Sequence, residues 1–187
     1  SVALTEPVDA VLTDGFDAGL GAWTVTGRLR LDDLRKSPVG TAPSVRAAVT
    51  QRKAGAWRSL PDAQYHVCLG AWVRRDTVGK TTTLLRLRDA GGLGVAQLQV
   101  TPTGALRVRS EIDAVSAATG VSLPAGTWRR VDICSRHDQG ALDSVSVRVG
   151  GIQVGSWPWT TTPVSQVQIG SLRKTTVTMN LDDVVVS

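Results

Sequence analysis

Ser144-Val145-Ser146-Val147-Arg148-Val149-Gly150-Gly151-Ile152-Gln153-Val154 is the stretch whose reading decides the fold class. Successive side chains of an extended chain point to opposite faces, so Val145, Val147 and Val149 share one side and Ser146 and Arg148 the other. A strand built this way buries one face only, as in an antiparallel sheet. Gly150-Gly151 suits a tight two-residue connection to Ile152–Val154. The same alternation recurs outward from this hairpin. In Thr81–Arg88, Leu85 and Leu87 oppose Arg86 and Arg88. In Ala105–Arg109, Leu106 and Val108 oppose Arg107 and Arg109. Arginine is the usual occupant of the wet face.

Further extended segments are expected at Ala22–Val25, Ser44–Thr50, Ala56–Ser59, Gln64–Arg75, Val95–Val100, Trp128–Ser135, Val164–Ile169 and Leu181–Val186. Gly, Pro, Asp and Thr turn signals separate them at the short spacing of a sandwich or barrel. The clearest hairpin joins Val95–Val100 to Ala105–Arg109 through Thr101-Pro102-Thr103-Gly104, where Pro102 presets one dihedral and Gly104 tolerates positive φ. Ser110–Gly120 reads as a loop. No convincing internal repeat is present.

The length of 187 residues suits one domain spanning 1–187, large enough to hold a core without metals or staples. Residues 1–12 read as an extended N-terminal arm or a first strand. Lys plus Arg number 21 and Asp plus Glu 16, a formal net charge of +5. Lysine occurs only at 36, 53, 80 and 174, and Glu only at 6 and 111. Good helix formers are scarce while Val, Thr, Gly and Ser are plentiful, which argues for an all-β chain. No apolar run approaches the roughly 18 residues of a membrane span, so no membrane insertion is expected. No recognised nucleic-acid motif occurs and the charge is modest, so no nucleic-acid partner is expected. Ser1–Ala10 has neither a basic region nor a long apolar stretch, so no signal peptide is expected there; the start at Ser1 reads as a mature or trimmed chain. Cys68 and Cys134 permit one disulfide without requiring it, and neither has metal-like spacing.

Four segments in chain order resemble concanavalin A-like, laminin-G-like jelly rolls of bacterial, or phage, extracellular proteins. Asp14-Gly15-Phe16-Asp17-Ala18-Gly19-Leu20-Gly21-Ala22-Trp23-Thr24-Val25 looks like that family's first strand. Tyr65-His66-Val67-Cys68-Leu69-Gly70-Ala71-Trp72-Val73-Arg74 resembles its central strand. Leu123-Pro124-Ala125-Gly126-Thr127-Trp128-Arg129-Arg130-Val131-Asp132-Ile133 resembles its "Gly-x-Trp-x-x-Val" strand entry, and Leu181-Asp182-Asp183-Val184-Val185-Val186 its terminal strand. The resemblance implies a two-sheet antiparallel jelly-roll sandwich with a concave groove, the usual glycan site. It says nothing specific about function, because this fold hosts lectins, hydrolases, lyases and structural modules.

The resemblance also implies candidate sites. One structural calcium ion is expected where first and last strands meet, on Asp17 and Asp182, with Asp14 and Asp183 as neighbours; the alternative is that these are turn and edge residues. Arg74, Arg86, Arg88, Arg107, Arg109 and Arg130 fall on polar alternates, as does Arg148. Gln97 and Gln99 are placed plausibly beside them. If several share the concave sheet, they make a donor-rich surface for an acidic polysaccharide; the alternative is a solvated convex face. Trp23, Trp72 and Trp128 sit at the family's strand positions and are expected in the core. Trp157-Pro158-Trp159 could form a sugar platform or cover the end of the core, and Trp57 is a further candidate platform. In the family the strands of Cys68 and Cys134 lie close, which favours a bridge between them.

Catalytic signatures are absent. The fold's hydrolases carry Glu-x-Asp-x-x-Glu, which this chain lacks. Tyr65 and His66 point to opposite faces of one strand and could not act together, and His137 in a turn reads as solvated. No GxSxG, HExxH, phosphate loop or dinucleotide fingerprint occurs. The reading is a non-catalytic carbohydrate-binding or adhesion module that is extracellular, secreted or at the cell surface. Its alternatives are an assembly domain of a virion or surface complex, with a homo-oligomer or assembly neighbours as partners, and a polysaccharide lyase.

Overall fold

The computed structural model describes residues 10–41, 43–139 and 142–187. Thirteen antiparallel strands follow one another: β1 Leu12–Asp14, β2 Thr24–Gly27, β3 Leu29–Asp32, β4 Ser44–Gln64, β5 His66–Val78, β6 Thr82–Arg88, β7 Gly94–Val100, β8 Ala105–Ser110, β9 Ser116–Ser122, β10 Trp128–Arg136, β11 Ser144–Val149, β12 Ile152–Trp157 and β13 Val164–Val186. There is no helix among the described residues.

Two long strands organise the rest. β4 and β13 pair with each other along most of their length, from Val164↔Gln64 to Leu181↔Val45. The first half of β13 has β6 on its other side, through Gln166–Ile169, and the second half has β5, through Val177–Val186. Both strands therefore pass from one layer to the other. One layer is β2, the second half of β4, the first half of β13, then β6 to β9. The other is β3, the first half of β4, the second half of β13, then β5, β10, β11 and β12, with β1 beside the end of β13.

The bend needs small residues where the strands cross. Gly55 and Gly170 face each other in the register. A Cβ on Gly170, whose φ is +68°, would sit 2.5 Å from the Ala54 carbonyl oxygen, and one on Gly55 2.9 Å from the Ser171 backbone. Only glycine satisfies both the close approach and the positive φ.

Passing between layers also shifts the alternation of β4. Val45, Ala47 and Val49 face inward, then Gln51 adopts φ +54°, and thereafter Ala54, Ala56 and Leu60 face inward. In β13 the inward residues keep one parity across the bend, Val167 and Ile169 before it and Val177, Met179 and Leu181 after it. They change only at Asp183, φ +49°, within the second layer, after which Val184 and Val186 point in. The parity change in β4 is why the sequence suggests separate strands at Ser44–Thr50 and Ala56–Ser59, where the chain forms one. In β13 the mostly polar bend, residues 170–176, separates the expected Val164–Ile169 from Leu181–Val186 within one strand.

Other boundaries also move. The expected strand Gln64–Arg75 begins instead at His66, because Tyr65 occupies the β4–β5 turn. Ser110–Gly120, expected as a loop, contains part of β9, which pairs only with β8 in the sheet order. An edge strand packed on one side needs no strong apolar alternation, and Ala117-Ala118-Thr119-Gly120 shows none. β1 is too short for alternation to reveal, and β3, Leu29-Arg30-Leu31-Asp32, alternates but is not among the expected segments. Of the stretch Val2–Leu12, residues 1–9 lie outside the described residues; Val11 donates to the Val186 carbonyl at 2.8 Å and Leu12 pairs with Val186, so its end completes the chain's own sheet. The two hairpins read from sequence form as expected, with Gly104 at φ +90° and Gly150 and Gly151 at +60° and +80°.

The core lies between the layers. Leu69, Ala71 and Val73 of β5, Leu85 and Leu87 of β6, Leu98 of β7 and Ile133 of β10 are all fully buried. Cys68 and Cys134 stand opposite each other in the β5–β10 register and form a disulfide on the outer side of that layer. It closes a loop of sequence separation 66. By loop-closure entropy, replacing both cysteines with serine is expected to lower stability by about 4 kcal/mol, read as a fall in the urea midpoint with a steeper slope, because the unbridged denatured chain exposes more surface.

Candidate functional site

The outer face of the first layer carries a continuous cross-strand row. The register aligns Thr24, Trp57, Gln168, Arg86, Gln97, Arg109 and Ser116 on seven adjacent strands. A second row, Thr83, Gln99, Arg107 and Ala118, runs beside it. Between the rows and the bend of β13 lies a groove of about 330 Å³, lined by Arg86, Gln97, Gln99, Arg109, Glu111, Gln168, Lys80, Arg173 and Lys174 among others. Its floor is polar because period-two strands with a buried Val/Leu face must present the other residues here.

The floor is held by its own hydrogen bonds. Arg86 donates from Nε and Nη2 to the two oxygens of Glu111 at 2.6 and 2.7 Å, and from Nη1 to Gln168 Oε1 at 3.3 Å. Gln168, almost fully buried, donates to the Gly170 carbonyl at 2.9 Å. Thr83 Oγ1 donates to Gln97 Oε1 at 2.6 Å, and Gln99 Nε2 donates to the same oxygen at 3.2 Å. Glu111 rests on Gly94, where a Cβ would lie 1.7 Å from its Oε2. Among the described residues, Gln97 Nε2 has no protein partner, and Arg109 is held only by one bond to Ser116 Oγ at 3.4 Å. Lys80, Arg107, Arg109, Arg173 and Lys174 take part in none of the ion pairs found among the described residues. The groove therefore offers free cationic donors and one carboxylate that is already bound.

Arg88 lies on the same face but is spent structurally. Its guanidinium stands 5.0 Å over the Trp57 ring and its Nε donates to the Gly92 carbonyl at 3.1 Å. Burial, and after it the neighbouring Arg86 charge, lowers its pKa from the usual arginine value. It closes one end of the row.

Four of the expected ligand-binding residues lie elsewhere. Arg74 and Arg130 sit on the outer face of the second layer. Arg74 faces Asp76 at 3.5 Å, and Arg130 donates to the Asp183 carbonyl at 2.8 Å and lies 3.5 Å from Asp132. Alternation tells which side of its own sheet a residue takes, but not which sheet. Trp157 and Trp159 stack at 5.4 Å, half-buried against the core. Trp157 pairs with buried Val145, so it takes the inward side of an edge strand and covers the end of the core.

The histidines gather away from the groove. Tyr65 stacks on His137 at 5.9 Å, His66 Nε2 meets Asp138 Oδ1 at 2.9 Å, and His137 Nδ1 lies 3.2 Å from Asp143. His137, expected to be solvated, has a side chain only 17% exposed, because Asp143 of the β10–β11 connection and Thr161 of the β12–β13 connection pack against it. The hydrogen bond from His66, then that from Arg136, holds the Asp138 carboxyl below its usual range.

The expected calcium ligands differ in setting. Asp182 is fully buried; it accepts from the Ser37 amide at 2.9 Å and the Asp183 amide at 2.8 Å, and takes part in no ion pair found among the described residues. Gly40 packs against it so closely that a Cβ would lie 2.3 Å from Oδ2. That buried, uncompensated carboxylate has the chemistry a hard cation needs. Asp17 is exposed after β1, and no hydrogen bond joins it to Asp182. No three His, Cys, Asp or Glu side chains converge among the described residues.

Several groove residues were not singled out by sequence: Glu111, Gln168, Lys80, Arg173 and Lys174. Gln168 carried a legible signal, since Val167 and Ile169 alternate with Gln166 and Gln168. The lysines did not, because only the bend brings them in. Truncating Arg86 to Ala would leave Glu111, itself 17% exposed, without its cation. The expected cost is about 2 kcal/mol in urea unfolding, and Arg86→Lys would recover only part because it cannot bind bidentately.

No family model matches the chain, and no curated protein does. Solved structures match over nearly its whole length. The chain is similar to Cip1, described as a cellulose induced protein, at 14% identity and TM-score 0.72, covering 94% of this chain and 96% of that one. It is similar to an endo-beta-1,4-glucuronan lyase from the fungus Trichoderma reesei at 10% identity and TM-score 0.70, covering 95% of each. Domain 4 of AbnA, an extracellular arabinanase from Geobacillus stearothermophilus solved with arabinotriose, matches at 16% identity and TM-score 0.59, over 95% of this chain and 91% of that domain. At such identities the likeness shows architecture, and with the strand order above it establishes the fold: this chain is an antiparallel, two-layer jelly roll of the concanavalin A-like kind.

Proposed function

We propose that this chain is a non-catalytic polysaccharide-binding module whose groove takes an acidic glycan. The observation that carries the reading is the groove's imbalance of charge: Lys80, Arg109, Arg173 and Lys174 face it without acidic partners, while its carboxylate, Glu111, is tied to Arg86. Guanidinium and ammonium groups on a preformed polar floor suit uronate or sulfate, and Gln97 supplies a neutral donor for hydroxyls. The similar structures support the class of partner, since their names include a glucuronan lyase and a domain solved with an arabinose trisaccharide. Binding without cleavage is supported by the lining, which includes no His or Tyr and no pair of free carboxylates. An oxidising, extracellular or surface location fits the disulfide.

Titration with polyglucuronate, followed by tryptophan fluorescence because Trp57 lies in the row, tests the reading. Arg109→Ala is expected to weaken binding about tenfold or more and Gln97→Ala less, with Trp157→Ala unchanged. Absence of binding to any uronate, sulfated or neutral polymer removes the reading. Release of an unsaturated product absorbing in the ultraviolet would replace it with a lyase.

The same reading keeps the expected structural calcium ion on Asp17 and Asp182 as a proposal, with Asp182 its buried ligand. Its support is that the Asp182 carboxylate is buried and pairs with no Lys, Arg or His side chain among the described residues. EDTA is expected to lower the melting temperature and added Ca²⁺ to restore it; an unchanged transition would rule the ion out.

A further inference from the structure

The outer face of the second layer holds a smaller cleft of about 290 Å³, lined by Arg28, Arg30, Leu31, Asp32, Arg46 and Ala48. Arg30 and Arg46 stand directly opposite in the β3–β4 register. Like charges in that position repel across the strands. The acid that lines the cleft, Asp32, lies 3.7 Å from Arg46 and is also engaged by Asn180 Nδ2 at 2.9 Å and the Leu34 amide at 3.0 Å. Arg28 and Arg30 are exposed and have no ion-pair partner among the described residues, and Arg46 Nε is buried without a hydrogen-bond partner. An arrangement that gathers three guanidinium groups around one carboxylate, itself shared with Asn180 and Leu34, and leaves two of them without an ion-pair partner is suited to an anion.

This cleft is not isolated from the groove. The Arg28 amide donates to the Lys53 carbonyl at 2.9 Å, and Arg52 pairs with Thr175. The Gln51 amide donates to Thr176 Oγ1 at 3.1 Å, and the Gly79 amide to the Thr176 carbonyl at 2.9 Å, next to Lys80. The bends of β4 and β13 and the β5–β6 turn thus meet, and each brings cations: Arg52 and Lys53, Arg173 and Lys174, Lys80. Residues 44–61, 77–88 and 164–181 contain no acid at all.

We propose that Arg28, Arg30 and Arg46 form a second anion site, and that the basic bend joins it to the groove so that one acidic polysaccharide chain occupies both. The inference rests on the groove reading above and adds to it a path around the end of the sandwich. From Arg46 to Arg52 alone the path runs roughly 20 Å, six residues at about 3.3 Å, so a short oligomer fills the groove and only a long chain reaches the second site.

The test compares a glucuronate trisaccharide with long polyglucuronate on the intact chain. The double variant Arg28→Ser, Arg30→Ser removes two exposed side chains that hold nothing else. Polymer affinity is expected to fall about tenfold and its salt dependence to become shallower, with the trisaccharide and the melting temperature unchanged. Polymer binding equal to that of the original chain would overturn the second site and leave the groove intact. Failure of both ligands to bind the original chain would overturn the groove reading itself. Single-stranded DNA bound as tightly as the polymer, and weakened alike by the variant, would overturn the choice of a polysaccharide.

Discussion

The structure depends on the antiparallel pairing of β4 with β13. Among the described residues no other pair of strands runs through both layers, so this pair fixes how one layer lies on the other. Every strand of the groove floor is placed by counting outward from it: β6 on β13, then β7, β8 and β9. The pair bends only because Gly55 and Gly170 meet at the crossing and Gln51 accepts a left-handed backbone. The bend also creates the basic end of the molecule, by gathering cations from separate stretches of chain at one place.

The groove is organised before any ligand arrives. Glu111 does not compete for the free cations, because both its oxygens are taken by Arg86. Gln97 accepts two hydrogen bonds at its carbonyl oxygen, which fixes its amide so that the NH₂ remains available. Side chains fixed in this way lose little conformational freedom on binding, and that favours recognition by a static surface. The cost of holding many like charges on one face falls on the strands themselves, and the layer's apolar interior offsets it.

The fold class was legible in the alternation of β8 and β11, where each strand has one buried face and stays in a single layer. It was obscured in β4, where the buried face changes parity mid-strand, in β13, where a mostly polar bend interrupts the pattern, and in β9, where an edge position relaxes it. Within the site, Arg86, Gln97, Gln99, Arg107 and Arg109 were legible as polar alternates and do share one face. Arg74 and Arg130 carried the same signal and belong to the other layer, because periodicity is a property of one strand and layer membership is a property of pairing.

The sequence by itself determined that the chain is all-β, which residues of each regular strand turn toward water, and that arginine dominates among them, since these follow from local geometry and side-chain chemistry. Tertiary structure decided which strands are neighbours. From that came the joining of Cys68 to Cys134, the neutralisation of Arg86 by Glu111, the sealing of Arg88 against Trp57 and the assembly of Lys80, Arg173 and Lys174 at the groove. These pairings span from 25 to 94 residues of chain, and no local pattern encodes contacts between segments so far apart; the register of the long β4–β13 pair and its neighbours does.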